Sequence, residues 1–97
     1  MANIRVFKLI SGEELIGEIF NSYETSLELK APATIMMQQT QTGVGLALIP
    51  YMPYSVGNIT LSRSAIAAEA KADIKMVNEY NRIFGSGIEI VPASALK

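Results

Sequence analysis

The amino-acid sequence predicts a mainly β chain: a small five-stranded barrel over residues 4–66, a C-terminal α-helix over about 69–84, and a tail at 85–97. Three observations carry this. Ninety-seven residues supply one hydrophobic core and no second. Through residue 65 the apolar residues come in short alternating runs cut by Gly, Pro and Asn. Beyond about Glu69 their spacing changes to that of a helix.

The first strand, residues 4–10, places Ile4, Val6 and Ile10 on one face and Phe7 and Leu9 on the other, so both faces are expected to be covered. Ser11-Gly12-Glu13-Glu14 reads as a hairpin turn with glycine at a positive φ. The second strand, 15–20, carries Gly17 at its centre, which signals sharp curvature or close approach of another backbone. A polar turn at 21–25 leads into a long third strand, 26–39. There Leu27 and Leu29 alternate with Glu28 and Lys30, and Pro32 demands a bend or an edge. After a polar tip at 38–43, the fourth strand runs from 44 to 52. Val44, Leu46 and Leu48 share one face, and Ala47, Ile49 and Tyr51 share the other. Pro50 and Pro53 end its regular pairing. A loop at 54–58 precedes the fifth strand, 59–65, with Ile59 and Leu61 pointing inward.

In the helix, Ile74, Val77, Asn81 and Phe84 mark an apolar stripe that Met76, Tyr80 and Ile83 widen. The barrel or a neighbouring subunit is its expected cover. Lys75 and Glu79 stand four apart, Arg82 lies in the last turn, and Gly85 follows as the C′ residue. Residues 88–91 can add an extended segment, with fraying expected from Pro92 onward.

Composition narrows the function. Charged residues make up 18% of the chain, against about 25% in soluble domains, while apolar residues reach 49%. So thinly charged a surface points to self-association. The net charge of −1 argues against a broad electrostatic grip on nucleic acid and leaves room for stacking and hydrogen bonds at a few points. Without histidine or cysteine there are no imidazole bases, Ser-His-Asp triads, disulfides or thiolate metal sites. Gly43-Val44-Gly45 lacks the residues of a phosphate loop, and the adjacent Glu13 and Glu14 read as solvated charges. The expectation is a protein that is not an enzyme and uses no cofactor. No apolar run is long enough to span a membrane, and residues 1–5 do not resemble a secretory leader.

Five short strands in a strongly bent order describe an SH3-like barrel. Within it, Gly12-Glu13-Glu14-Leu15-Ile16-Gly17-Glu18-Ile19, with Leu27 and Leu29 following, resembles the first motif of the Sm-like (LSm) proteins. In that motif two glycines five apart bracket an apolar residue, and a Leu-x-Leu closes it. The resemblance covers roughly residues 4–66 and points to the short phage-encoded group, cyanophage-type, which implies the host-cell cytosol as location. The chain departs from the pattern in several places. The turn Asn21-Ser22-Tyr23-Glu24-Thr25 lacks the family's aromatic-Asp pair, and Ser26 stands where Asn is expected. The Arg-Gly-Asn of the second motif is replaced by 50–58, with Ser62-Arg63-Ser64 as the rival placement, and the helix follows the barrel instead of preceding it. These departures bear on the base pocket and leave the barrel untouched.

The resemblance implies a homo-oligomeric ring, formed by pairing the fourth strand of one copy with the fifth of the next. About five to seven copies would close it, with a pore lined by the turns after strands two and four. The implied ligand is single-stranded RNA or DNA. On those turns Tyr51, Tyr54 and Tyr23 either stack on unpaired bases or serve packing, Tyr51 and Tyr54 as barrel caps or subunit contacts. Asn21 and Asn58 either meet base edges or fix their turns. Arg63, one of four cations in residues 1–65 together with Arg5, Lys8 and Lys30, either binds phosphate or forms a surface ion pair. Tyr80 and the methionines Met36, Met37 and Met52 read as packing. The alternative function is an SH3-like protein-interaction or assembly module with no nucleic-acid ligand.

Overall fold

The computed structural model describes residues 3–84. Six antiparallel strands and one helix follow one another: β1 (Ile4–Leu9), β2 (Glu14–Ser22), β3 (Ser26–Thr40), β4 (Gly43–Pro50), β5 (Ile59–Ser62), a 3-10 turn (Arg63–Ala65), β6 (Ile66–Lys71) and α1 (Ile74–Phe84). The sheet order is β4-β3-β2-β1-β6, and β5 pairs with the first part of β3. The 3-10 turn thus carries the chain from the β3 side of the sheet to the β1 side, which gives the mainly β, barrel-like fold expected from the sequence. Among the described residues no helix is long and apolar enough to cross a membrane.

The long β3 is the spine. Its first residues, Ser26 to Leu29, lie against β5, and Ala33 to Thr40 lie against β4. Between these stretches the strand bends at Lys30-Ala31-Pro32, where Ala31 takes a φ of +49°. Facing the bend is Gly17, where a Cβ would stand 3.3 Å from the Pro32 Cα. Close backbone approach is therefore why a glycine interrupts β2, and the β2–β3 register shifts between Ile16 and Glu18. Gly12, at φ +99°, turns the chain from β1 into β2.

Two apolar clusters fill the fold. Phe7, Leu9, Leu15, Leu27, Leu29 and Leu61 form the first. Ile4, Ile16, Ala33, Leu48 and Tyr80 form the second, on which Val6, Met76, Val77 and Phe84 pack. Residues of β1 enter both clusters, as its two-sided pattern requires, but Ile10 lies past the strand end and is largely exposed. The barrel itself is the cover of the helix stripe.

The stripe centres on Tyr80, with Ile74 and Ile83 exposed. The Tyr80 hydroxyl donates into the β3 bend, 2.7 Å from the Lys30 carbonyl and 2.9 Å from that of Ala31. Burial raises this phenol to about 12, with the Glu18 charge adding to the shift.

Three expectations need correction. The helix begins at Ile74 and not near residue 69, because Ile66–Lys71 pairs with β1 as a sixth strand. Ala-Glu-Ala-Lys suits a helix by propensity, yet the free edge of β1 and an Arg5–Glu69 ion pair of 3.0 Å hold it extended. Asp73 then caps the helix, its Oδ1 accepting the Met76 N–H at 2.9 Å. The fifth strand stops at Ser62, which leaves Ser62-Arg63-Ser64 at the turn joining the last two strands. Glu79 pairs with Arg82, not with Lys75. Gly85, the extended segment at 88–91 and the fraying from Pro92 lie outside the described residues.

Candidate functional site

Where β2 ends, β3 begins and the chain enters β5, four of the six candidate side chains come together. Their centre is a residue the sequence did not single out, Glu28. The alternation Leu27-Glu28-Leu29 buries the two leucines and turns the carboxylate to the outer face. In register, Glu28 is flanked by Asn21 of β2 on one side and by Thr60 of β5 on the other. The Asn21 amide donates to Glu28 Oε1 at 3.3 Å, and the Tyr23 hydroxyl to the same oxygen at 3.4 Å. The Asn58 amide donates to Oε2 at 3.0 Å, across thirty positions of sequence. The Asn58 bond, then that of Asn21, holds the Glu28 carboxyl below its ordinary range; partial loss of water opposes this, and the Tyr23 bond adds to the lowering.

Arg63 completes the cluster from the 3-10 turn. Its Nε donates to the Tyr23 carbonyl at 2.7 Å and a terminal nitrogen donates to Ser22 Oγ. Its backbone N–H reaches the Thr25 carbonyl at 3.0 Å, and the Tyr23 N–H closes the turn on Ser26 at 2.9 Å. The guanidinium thus braces the 22–26 turn and makes no ion pair among the described residues. The tyrosine ring it supports is half exposed.

Tyr51 and Tyr54 do not join this hydrogen-bonded group. Tyr51 is half-buried against the first apolar cluster, and its N–H bonds the Pro32 carbonyl at 2.9 Å, so packing describes its position. Tyr54 stands 98% exposed on the turn between β4 and β5, where Ser55 donates from both its backbone and its hydroxyl to the Met52 carbonyl. It is an open ring that touches no core residue.

Glu28 could have been found from sequence only as an outward charge between two inward leucines. Nothing in that pattern reveals that Asn58, thirty residues away, would meet it. The cluster offers an exposed aromatic face, two amides and a carboxylate, a set suited to hydrogen bonding and stacking.

A second feature lies elsewhere. A cleft of about 400 Å³ opens between β1 and β6, the β3–β4 hairpin and the start of α1, lined by Val6, Ile35, Met37, Leu46, Ala70 and Met76 among others. Lys8, Glu14 and Glu69 also border it. In comparisons with known proteins, no family model matches the chain and no curated protein matches it.

Proposed function

We propose that this chain is the subunit of a non-catalytic, Sm-like homo-oligomer that binds single-stranded RNA or DNA in the cytoplasm. The observation that carries the reading is the convergence of Asn21, Tyr23, Asn58 and Arg63 on one end of the barrel. An exposed tyrosine ring suits an unpaired base, because every base has a face to stack. The asparagine amides suit base edges, and Arg63 has further N–H groups for a phosphate. Assembly is supported by two sheet edges: β4 and β6 end the strand order, each paired on one side only among the described residues. Pairing β4 of one copy with β6 of the next is heterologous, and closing it into a ring leaves neither of these two edges free.

The test is native mass spectrometry combined with fluorescence anisotropy of labelled oligonucleotides. The reading expects a closed oligomer that binds single strands. Replacing Tyr23 and Tyr54 together by Ala is expected to weaken binding at least tenfold, since stacking is worth about 1–3 kcal/mol per base, with the oligomer intact. Monomers in dilute solution, or unchanged binding in the double variant, would refute it.

The apolar cleft favours a second reading, a protein-assembly module whose ligand is a peptide and not a nucleic acid. Three of the seven cations among the described residues are engaged by carboxylates, which thins the charge available for phosphate: Arg5, Lys8 and Arg82 are paired with Glu69, Glu14 and Glu79. A stoichiometric polypeptide that copurifies after nuclease treatment supports this second reading.

A further inference from the structure

We infer that the Glu28 cluster makes this end of the barrel a reader of hydrogen-bond donors, selecting single strands whose bases carry exocyclic amino groups, such as cytosine and adenine, over uracil. The inference rests on the nucleic-acid reading above and deepens it.

An ionised carboxylate only accepts hydrogen bonds, so whatever faces it must donate. This fixes the two amides: Asn21 and Asn58 each turn Nδ2 toward Glu28, which leaves each Oδ1 directed away. No donor among the described residues meets either Oδ1. The Tyr23 hydroxyl likewise spends its one proton on Glu28 and has only lone pairs left to offer. A single side chain has thereby converted three ambivalent groups into acceptors.

What remains open to a ligand is two amide carbonyls, one phenolic oxygen and a carboxylate with unused lone pairs. Among Asn21, Tyr23, Asn58 and Glu28 the donors left over are one hydrogen on each amide. Arg63, anchored to Tyr23 and Ser22, keeps further N–H groups, which suit a phosphate beside the turn.

A base that brings an amino group to this surface gains a bond to an acceptor, strengthened where the acceptor is charged. Cytosine offers N4–H₂ and adenine N6–H₂, and a carboxylate accepting from cytosine N4 is a favourable pairing. Uracil presents O2 and O4 instead, which would face oxygen lone pairs and a negative charge, and its one N3–H lies between them. The lowered Glu28 carboxyl is consistent with an acceptor that stays ionised at neutral pH.

The experiment measures anisotropy of fluorescein-labelled oligo(C), oligo(A) and oligo(U) with the full-length oligomer, and repeats it with Glu28→Gln. The wild-type protein is expected to bind oligo(C) and oligo(A) roughly tenfold more tightly than oligo(U), the size of one good base-edge contact. In Glu28→Gln the carboxamide can donate as well as accept, the amides are no longer fixed, and the ratio is expected to fall to about twofold or less. The circular dichroism melt should remain that of a folded barrel. Should that variant not fold, Asn58→Ala at its exposed position carries the same test and is expected to lower the ratio at least threefold. Equal or tighter binding of oligo(U) by wild type, or an undiminished ratio in both variants, overturns the inference while leaving the nucleic-acid reading in place. Binding of none of the three overturns both.

Discussion

Tyr80 shows how one side chain ties the helix to the barrel. At the bend Lys30-Ala31-Pro32 the Tyr80 hydroxyl meets the carbonyls of Lys30 and Ala31 from a ring that is only 2% exposed. Tyr80→Phe keeps the ring and leaves those carbonyls without this donor, so it is expected to cost about 1–2 kcal/mol in urea unfolding. The same variant has a signature in alkali. The phenol titrates near 10 when unfolded and about 12 when folded, so the unfolded chain loses its proton first and stability falls as pH rises between those values. In Tyr80→Phe that alkaline decline should be shallower. Glu28 acts with the opposite sign. Its folded carboxyl holds protons less readily than the unfolded one, so its contribution is complete above the ordinary glutamate range and is lost as pH falls through the lowered folded value. Acid unfolding curves of wild type and Glu28→Gln should therefore converge toward low pH.

At the scale of elements, the bent pair β2–β3 decides the shape. Gly17 faces backbone, not a yielding side chain, since its nearest neighbour is the Pro32 Cα. Gly17→Ala is thus expected to destabilise by about 1–3 kcal/mol, the cost of overpacking, read as a lower urea midpoint. This element was legible in advance, because an interior glycine in one strand and a proline in the next both announce a bend. The leucine alternation at 27 and 29 and the inward Ile59 and Leu61 were legible for the same reason: period-two burial is written in the residues themselves. The sixth strand was not. Ala67, Ala68, Glu69 and Ala70 carry little apolar alternation and favour a helix, and only pairing with β1 makes them extended. Asp73 was the available signal, a helix N-cap that places the start one residue later at Ile74. The candidate site was legible in its parts. Asn21, Tyr23, Asn58 and Arg63 follow from turn positions, but their meeting at Glu28 depends on β5 lying beside β3, which local pattern does not encode.

Across the whole molecule, the thin charge has a structural counterpart. Three of the cations are paired, and the β3–β4 hairpin carries Met37 and Val44 at 70% and 63% exposure. The hairpin extends past the body of the sheet, because β2 reaches only as far as Thr34 and residues beyond it pair with β4 alone. Apolar side chains on a projecting ribbon, beside the cleft under Met37 and Leu46, form an exposed apolar patch, the kind of surface on which the proposed assembly would draw. The low surface charge and this ribbon are one property viewed at two scales.

The placement of β5 and β6 governs the order in which the chain acquires its native contacts. Hairpins β1–β2 and β3–β4 join near neighbours, whereas Arg5 meets Lys71 and Leu29 meets Ile59 only after long loops close. The entropy of those closures is paid before their contacts reward it, so docking of β5, the 3-10 turn and β6 is expected to follow formation of the two hairpins. Asn58 and Arg63 belong to that late-docking stretch, so a folding chain holds Glu28 and Tyr23 on the β2–β3 pair early and completes their hydrogen-bonded cluster only when β5 and the 3-10 turn have docked.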